Sequence, residues 1–315
     1  MRTLIIIITA IIIATGPAPA QEKMSSSKQK EKSKTQKHGM KDKEEEENLL
    51  PMYKVDFGLN FGAYFANKYS ANFYNGSPGN VNNINYLFSD PNRFRELRQA
   101  LGIGETDTRT TVTVDGYPTN MHYNVSIMGG LFARINLDRK NGLIFQANYT
   151  QLKAADVVTL LIDPNIPYYD SLPNLVSYPI IGKEGRVMID LGYHRSFPLK
   201  SRINIFLQGG LTMCYTQVKQ SIFVVNGREF NLVNIYGSQG YQPNTNQQTL
   251  TVNQNAFGFG GFLGVGAGIP LNDLFGIEPG FYAHYYPTNL EGYPDFKPSF
   301  GLYLRILLHF VSSED

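Results

Sequence analysis

The chain has 315 residues, 20 Tyr, 20 Phe, 30 Gly and no Trp, with a formal net charge of +2. So small a net charge names no polyanionic partner, and no nucleic-acid partner is expected. The single cysteine, Cys214, excludes an intramolecular disulfide framework and a multi-cysteine metal site.

Residues 1–20 read as a cleaved signal peptide. Arg2 supplies a basic start, Leu4 to Ala14 an apolar stretch too short to span a bilayer, and Ala18-Pro19-Ala20 a small-x-small cleavage site. No cysteine follows the cleavage point, so lipidation there is not expected. The next segment, 21–50, is read as a disordered periplasmic tail. Between 21 and 48 it holds eight Lys and seven acidic residues, with Met24 and Met40 the only aliphatic side chains. Such a segment buries too little apolar surface to offset its ordering entropy.

The remaining domain, 51–315, carries eight stretches of period-2 alternation. The first sets Tyr53, Val55, Phe57, Leu59 and Phe61 against Lys54, Asp56 and Asn60. A long connection, about 66–121, follows, and within it a short helix is predicted. Asp90 caps it, Pro91 suits its first turn and Gly102 ends it. Phe94, Leu97 and Leu101 form an apolar stripe, with Arg93, Arg95 and Arg98 on other faces. The helix either folds over a barrel mouth or presents a docking face to a partner or to lipid phosphates.

The second stretch places Tyr123, Val125, Ile127, Leu131 and Ile135 opposite Ser126 and Arg134. The third runs through Leu143, Phe145, Ala147 and Tyr149, and the fourth through Val187, Ile189, Leu191 and Tyr193, opposite Arg186, Asp190 and His194. The fifth has Ile205, Leu207, Leu211 and Tyr215, and the sixth Phe257, Phe259, Leu263 and Val265. The seventh has Phe275, Ile277, Phe281 and Tyr285 opposite Glu278 and His284; Pro279 within it predicts a bulge. The eighth sets Phe300, Leu302, Leu304, Ile306 and Phe310 against Arg305 and His309.

The apolar register is free of charge in all eight stretches. A solvated face tolerates exceptions; lipid does not, because a Lys or Arg at the bilayer midplane costs about 2–4 kcal/mol. Connections alternate too: tight at 138–142, 197–201 and 270–273, long at 66–121, 154–184 and 219–254. The expectation is therefore an all-β fold: an eight-stranded antiparallel up-and-down transmembrane β-barrel in a bacterial outer membrane. An even strand count leaves the N-terminal tail and the C-terminus periplasmic, with the long loops extracellular. Tyr53, Tyr193, Phe275 and Phe310 then form one aromatic girdle, and Tyr123, Tyr149, Tyr215, Phe257 and Tyr285 the other.

The inward ionisable groups are Lys54, Asp56, Arg134, Asp190, His194, Glu278, Arg305 and His309. They read as an ion-pair plug, with Arg305 meeting Asp56 across the closing strands; the alternative is a gated conduit. No catalytic constellation emerges. Asp190 and His194 are about 13 Å apart along one strand, and no inward Ser stands at an obvious matching depth. No metal-ligand spacing, phosphate loop or cofactor motif occurs. The preferred role is a non-enzymatic structural or accessory subunit. The expected partners are outer-membrane lipid and other envelope proteins. The alternatives are a soluble secreted barrel holding an apolar ligand in its lumen and a surface enzyme.

Three segments, Val55-Asp56-Phe57-Gly58-Leu59-Asn60-Phe61-Gly62, the Gly-rich Phe257–Gly268 and Gly301-Leu302-Tyr303-Leu304, give the chain a further likeness. Over about 50–310 it resembles the PorT-like outer-membrane barrel family of Bacteroidota. That resemblance implies a barrel without catalytic residues. It also implies an accessory role of the kind the family's best-known member has in the type IX secretion system.

Overall fold

The computed structural model describes residues 55–164, 174–199, 203–233 and 254–310. The signal peptide, the Lys/Glu tail, Tyr53, Lys54 and the five terminal residues lie outside them.

Ten strands form one antiparallel sheet. They are β1 (Val55–Phe65), β2 (Thr111–Gly116), β3 (Ser126–Asn136), β4 (Asn141–Asp163), β5 (Asn174–Pro198), β6 (Asn204–Val225), β7 (Arg228–Asn231), β8 (Asn255–Pro270), β9 (Phe275–Pro287) and β10 (Phe296–Phe310). Eight of them close a ring: β1 pairs with both β3 and β10, and β3, β4, β5, β6, β8, β9 and β10 pair in succession. The remaining two are additions at the loop end, β2 on β4 and β7 on β6. The expected eight-stranded barrel is thus the closed ring. Closure leaves it no open edge, so every strand is paired on both sides.

The alternation faces the way the sequence predicts. Phe57, Leu59, Phe61, Leu131, Leu143, Phe145, Leu191, Leu207, Leu263, Leu302 and Ile306 point outward and are exposed. Asp56, Asn60, Arg134, Gln146, Asp190, Gln208, Glu278 and Arg305 point inward and are buried. This polarity removes the soluble apolar-ligand alternative, which needs the apolar register inside. Inward positions alternate large and small: a side chain added at Gly280 would meet the Tyr303 ring at 2.5 Å. Cys214 is a buried inward thiol.

Several expectations change. The described residues of the connections at 154–184 and 219–254 are in large part strand, since β4 runs to Asp163, β5 starts at Asn174 and β6 runs to Val225. The apolar parity is lost there because, beyond the belt, the outward face takes polar groups such as Gln151, Lys153 and Lys219, while the inward face carries buried Leu152, Ala154, Val158 and Leu160. Pro279 produces no bulge: its register with β10 is continuous, Leu304 opposite Pro279 and Tyr303 opposite Gly280. The missing N–H faces β8 instead, where pairing lapses between Gly266–Gly280 and Ile269–Ile277 without a slip. The irregularity lies in β5–β6, whose register shifts between Lys183 and Glu184. Tyr123 precedes β3 and is 8% exposed, so it faces inward and leaves the girdle. Tyr149, Phe257 and Tyr285 are exposed at the loop end, and Tyr193, Phe275 and Phe310 at the turn end.

The predicted helix is present as α2 (Pro91–Ala100), preceded by an unforeseen short α1 (Asn85–Ser89). Asp90 accepts hydrogen bonds from the Asn92 and Arg93 amides at 2.8 and 3.0 Å. Gly102 follows with φ +79°, the left-handed conformation that closes a helix. At the first tight turn Asp138 accepts from the Asn141 side chain and from the Lys140 and Asn141 amides. Those bonds, the Asn141 side chain's first, hold its carboxyl below the usual carboxylate range.

Asp90→Ala should cost α2 about 1 kcal/mol. The expected readout is faster amide exchange at Asn92 and Arg93 with exchange of the barrel strands unchanged.

Candidate functional site: the filled lumen

The turn-end half of the lumen is filled by charges carried on β1, β3, β5, β9 and β10. Arg134 is the hub. Its guanidinium donates to Asp56 at 2.7 Å, to Glu278 at 2.9 Å and to His194 Nε2 at 3.1 Å. Glu278 spends its other oxygen on Arg305 at 2.7 Å. Arg305 also donates to Asn60 at 2.9 Å and to Gln146 at 3.1 Å. His309 Nδ1 lies 2.7 Å from the second oxygen of Asp56. One carboxylate thus bridges two arginines, and each arginine is shared between strands.

Arg305 therefore does not meet Asp56, although β1 and β10 are neighbours. Asn60 lies directly opposite Arg305 in the register, while Asp56 lies opposite His309 and Arg134. Adjacency of strands is legible in sequence; the stagger that decides which residues face each other is not. Asp190 stands apart from the hub. It accepts from Gln146 at 2.6 Å and lies 3.0 Å from His284 Nε2. The structure brings Asp56, Arg134, His194, Glu278, Arg305 and His309 into one cluster, links Asp190 to it through Gln146, and leaves Lys54 outside the described residues.

A second buried network, at the loop end, is absent from the sequence reading. Arg186 pairs with Glu184 at 2.6 Å, both side chains fully buried. Tyr74 and Tyr123 donate to Glu184 at 2.7 and 2.9 Å, and Arg186 donates to Ser70 at 3.0 Å. Tyr64 and Tyr286 share a hydrogen bond of 2.6 Å beside them. Ser70 and Tyr74 belong to a single 3-10 turn, Ser70–Tyr74, so this network ties the first long connection into the barrel mouth. The available sign was Glu184 and Arg186 two apart on one inward register. Aromatic and aliphatic side chains of the same connection, Phe73, Ile84, Leu87 and Leu97 among them, complete the seal.

The rest of the lumen is packed with Phe132, Phe206, Phe262, Tyr282, Tyr303 and Leu307. The cavity at the turn end, about 70 Å³, is lined by Asp56, Arg134, His194, Ser196, Glu278 and His309. That is room for a few waters at most.

The candidate docking helix is engaged with the barrel. Leu97 is fully buried, and Phe94 and Leu101 pack on the core beside it. Arg93 is buried and donates to the Asn231 carbonyl of β7. Arg98 donates to the Thr110 carbonyl at 2.6 Å and to that of Asp107. Arg95 is exposed and reaches Asn92 at 3.2 Å. The arginines expected on free faces are thus largely consumed in fixing the connection.

An inward serine does stand near a histidine: Ser196 Oγ is 2.9 Å from His194 Nε2. The pair lacks the third member that hydrolysis needs. His194 Nδ1 has no hydrogen-bond partner to orient it, and Arg134 occupies the same Nε2 edge that would take the serine proton. Among the described residues no cluster of His, Cys, Asp and Glu could hold a metal ion.

No family model matches the chain, and no curated protein does. Among solved structures it is similar to Neisserial surface protein A, at TM-score 0.35 and 10% identity over 81% of this chain and 97% of that one. It is likewise similar to the outer membrane protein OprG from Pseudomonas aeruginosa, at 0.33 and 10%, over 82% and 96%. The attachment invasion locus protein Ail of Yersinia pestis, in complex with the heparin analogue sucrose octasulfate, gives 0.30 and 9%, over 81% and 98%. The barrel itself is established by this chain's own strand pairing.

Replacing Glu278 with Leu takes the carboxylate from Arg305 and one of two from Arg134, and should cost about 3–5 kcal/mol, read as a lower urea midpoint in micelles. Adding Arg305→Met to that variant should recover much of the loss, because Arg134 keeps Asp56 as its partner.

Proposed function

We propose that this chain is an integral outer-membrane β-barrel, delivered by its signal peptide, that works as a sealed, non-enzymatic structural or accessory subunit. The observation that carries this reading is the outward register: large apolar side chains, exposed on all eight barrel strands, with charges turned inside. Leu131, Leu211, Phe259 and Leu263 are each more than 60% exposed, an arrangement that water penalises and hydrocarbon does not. The filled lumen argues against conduction, because Asp56, Arg134, Glu278 and Arg305, which fill its turn-end half, are paired across strands.

Short turns at one end and projecting strands at the other support an orientation with the termini periplasmic and the projecting end outside. An accessory role in an envelope or secretion complex, with the loops as partner surface, rests on the PorT-like resemblance.

The purified protein should require detergent and should migrate faster on a gel before boiling than after. Full solubility without detergent would end the reading. Wild type in planar bilayers should show no sustained conductance. Leu263→Arg should cost about 2–4 kcal/mol of folding into vesicles, measured by urea titration, because Leu263 lies mid-strand on the lipid register.

A further inference from the structure

The outward register is free of charge through the apolar belt, then abruptly is not. Lys153 follows Tyr149 on the outward register of β4. Lys183 is directly opposite it on β5. The register shift between Lys183 and Glu184 leaves Lys219 of β6 as an extra, exposed residue in the same layer. Lys219 lies across Gly185, where an added Cβ would meet its Cε at 3.0 Å, and donates to Tyr149 Oη at 2.6 Å. Three lysines on three adjacent strands therefore sit just above the aromatic rim formed there by Tyr149, Tyr215 and Phe257.

Among the described residues no carboxylate of β4, β5 or β6 pairs with them. β6 contains no carboxylate; Glu184 and Asp190 of β5 are buried inside; Asp156 of β4 is on the inner register and Asp163 is at the strand tip. Like charges placed directly across a strand pair are destabilising, so the Lys153–Lys183 pair is a standing cost for the protein alone. At the corresponding outward positions of the other strands stand Phe65, Val125, Tyr285 and Phe300. The cationic patch is a sector, flanked by the amides of Gln151, Gln217 and Gln220, and an unbroken apolar wall lies beneath it.

We propose that the outward face of β4, β5 and β6 above the girdle binds a phosphorylated lipid headgroup of the outer leaflet, with Lys153, Lys183 and Lys219 as its cationic contacts. The inference rests on the membrane reading above. A ligand with anionic phosphate over acyl chains matches both halves of the surface: phosphates against the lysines, chains against Tyr149, Ala147 and Val187. A free phosphate ion would use the first half only. Binding removes the repulsion between Lys153 and Lys183, so the lipid stabilises the projecting part of the barrel as it binds.

The test uses the folded full chain in neutral detergent, with diphosphoryl lipid A, its dephosphorylated form or inorganic phosphate as the added probe. Native mass spectrometry should show wild type retaining lipid A and Lys153→Gln/Lys183→Gln/Lys219→Gln holding it about a hundredfold more weakly. Millimolar inorganic phosphate should not displace the lipid. Thermal unfolding should show a change of sign: Lys183→Gln raises the midpoint in neutral detergent and lowers it, relative to wild type, once lipid A is present. Equal lipid A binding by wild type and the triple variant would overturn the proposal. So would equal retention of the dephosphorylated lipid, or displacement by inorganic phosphate. A chain that stays soluble without detergent fails the membrane reading instead, by a separate observation.

Discussion

Closure of the sheet through the β1–β10 pairing is the constraint on which the rest depends. It gives every strand one inner and one outer face and leaves no edge to compromise between them. Once the ring is closed, a residue's parity decides its surroundings for its whole length within the belt. Apolar side chains on one parity are committed to the outside, and every ionisable group on the other is committed to a narrow lumen.

An eight-stranded lumen is wide enough for side chains and little else. Charges placed there cannot stay solvated, so each must find a partner across the barrel. Glu278 answers this for Arg134 and Arg305 together, and Asp56 for Arg134 and His309. The result fastens nonadjacent strands to one another by bonds perpendicular to the ladder. The loop-end network does the same for a different purpose. Glu184 and Arg186 hold Ser70, Tyr74 and Tyr123, so the first long connection becomes part of the barrel's filling.

The projecting part of the wall follows other rules. Above the girdle the outward face of β4, β5 and β6 takes lysines and glutamines, while the inward face carries buried Leu152, Val158, Leu160, Ile180, Val218 and Phe223. α2 is bound into this region by Arg93 to β7, by an Arg228–Glu96 pair at 3.1 Å and by Asn226 to the Ala100 carbonyl. The first long connection is therefore built structure, fixed to the barrel along α2.

The amino-acid sequence by itself determined the strand count of the ring, the face each strand turns outward, the placement of α2 and the inward charges of the turn-end cluster. These are local properties: period-2 alternation, a capping Asp90 before Pro91, and a Gly102 that adopts positive φ. Only the tertiary structure decided which inward charge meets which, where alternation ends within long strands, and that Tyr123 turns in. Those outcomes depend on the stagger between strands and on what covers the barrel mouth. Both are set by contacts between residues far apart in the chain, such as Arg305 with Gln146 and Arg93 with Asn231, which no local pattern encodes.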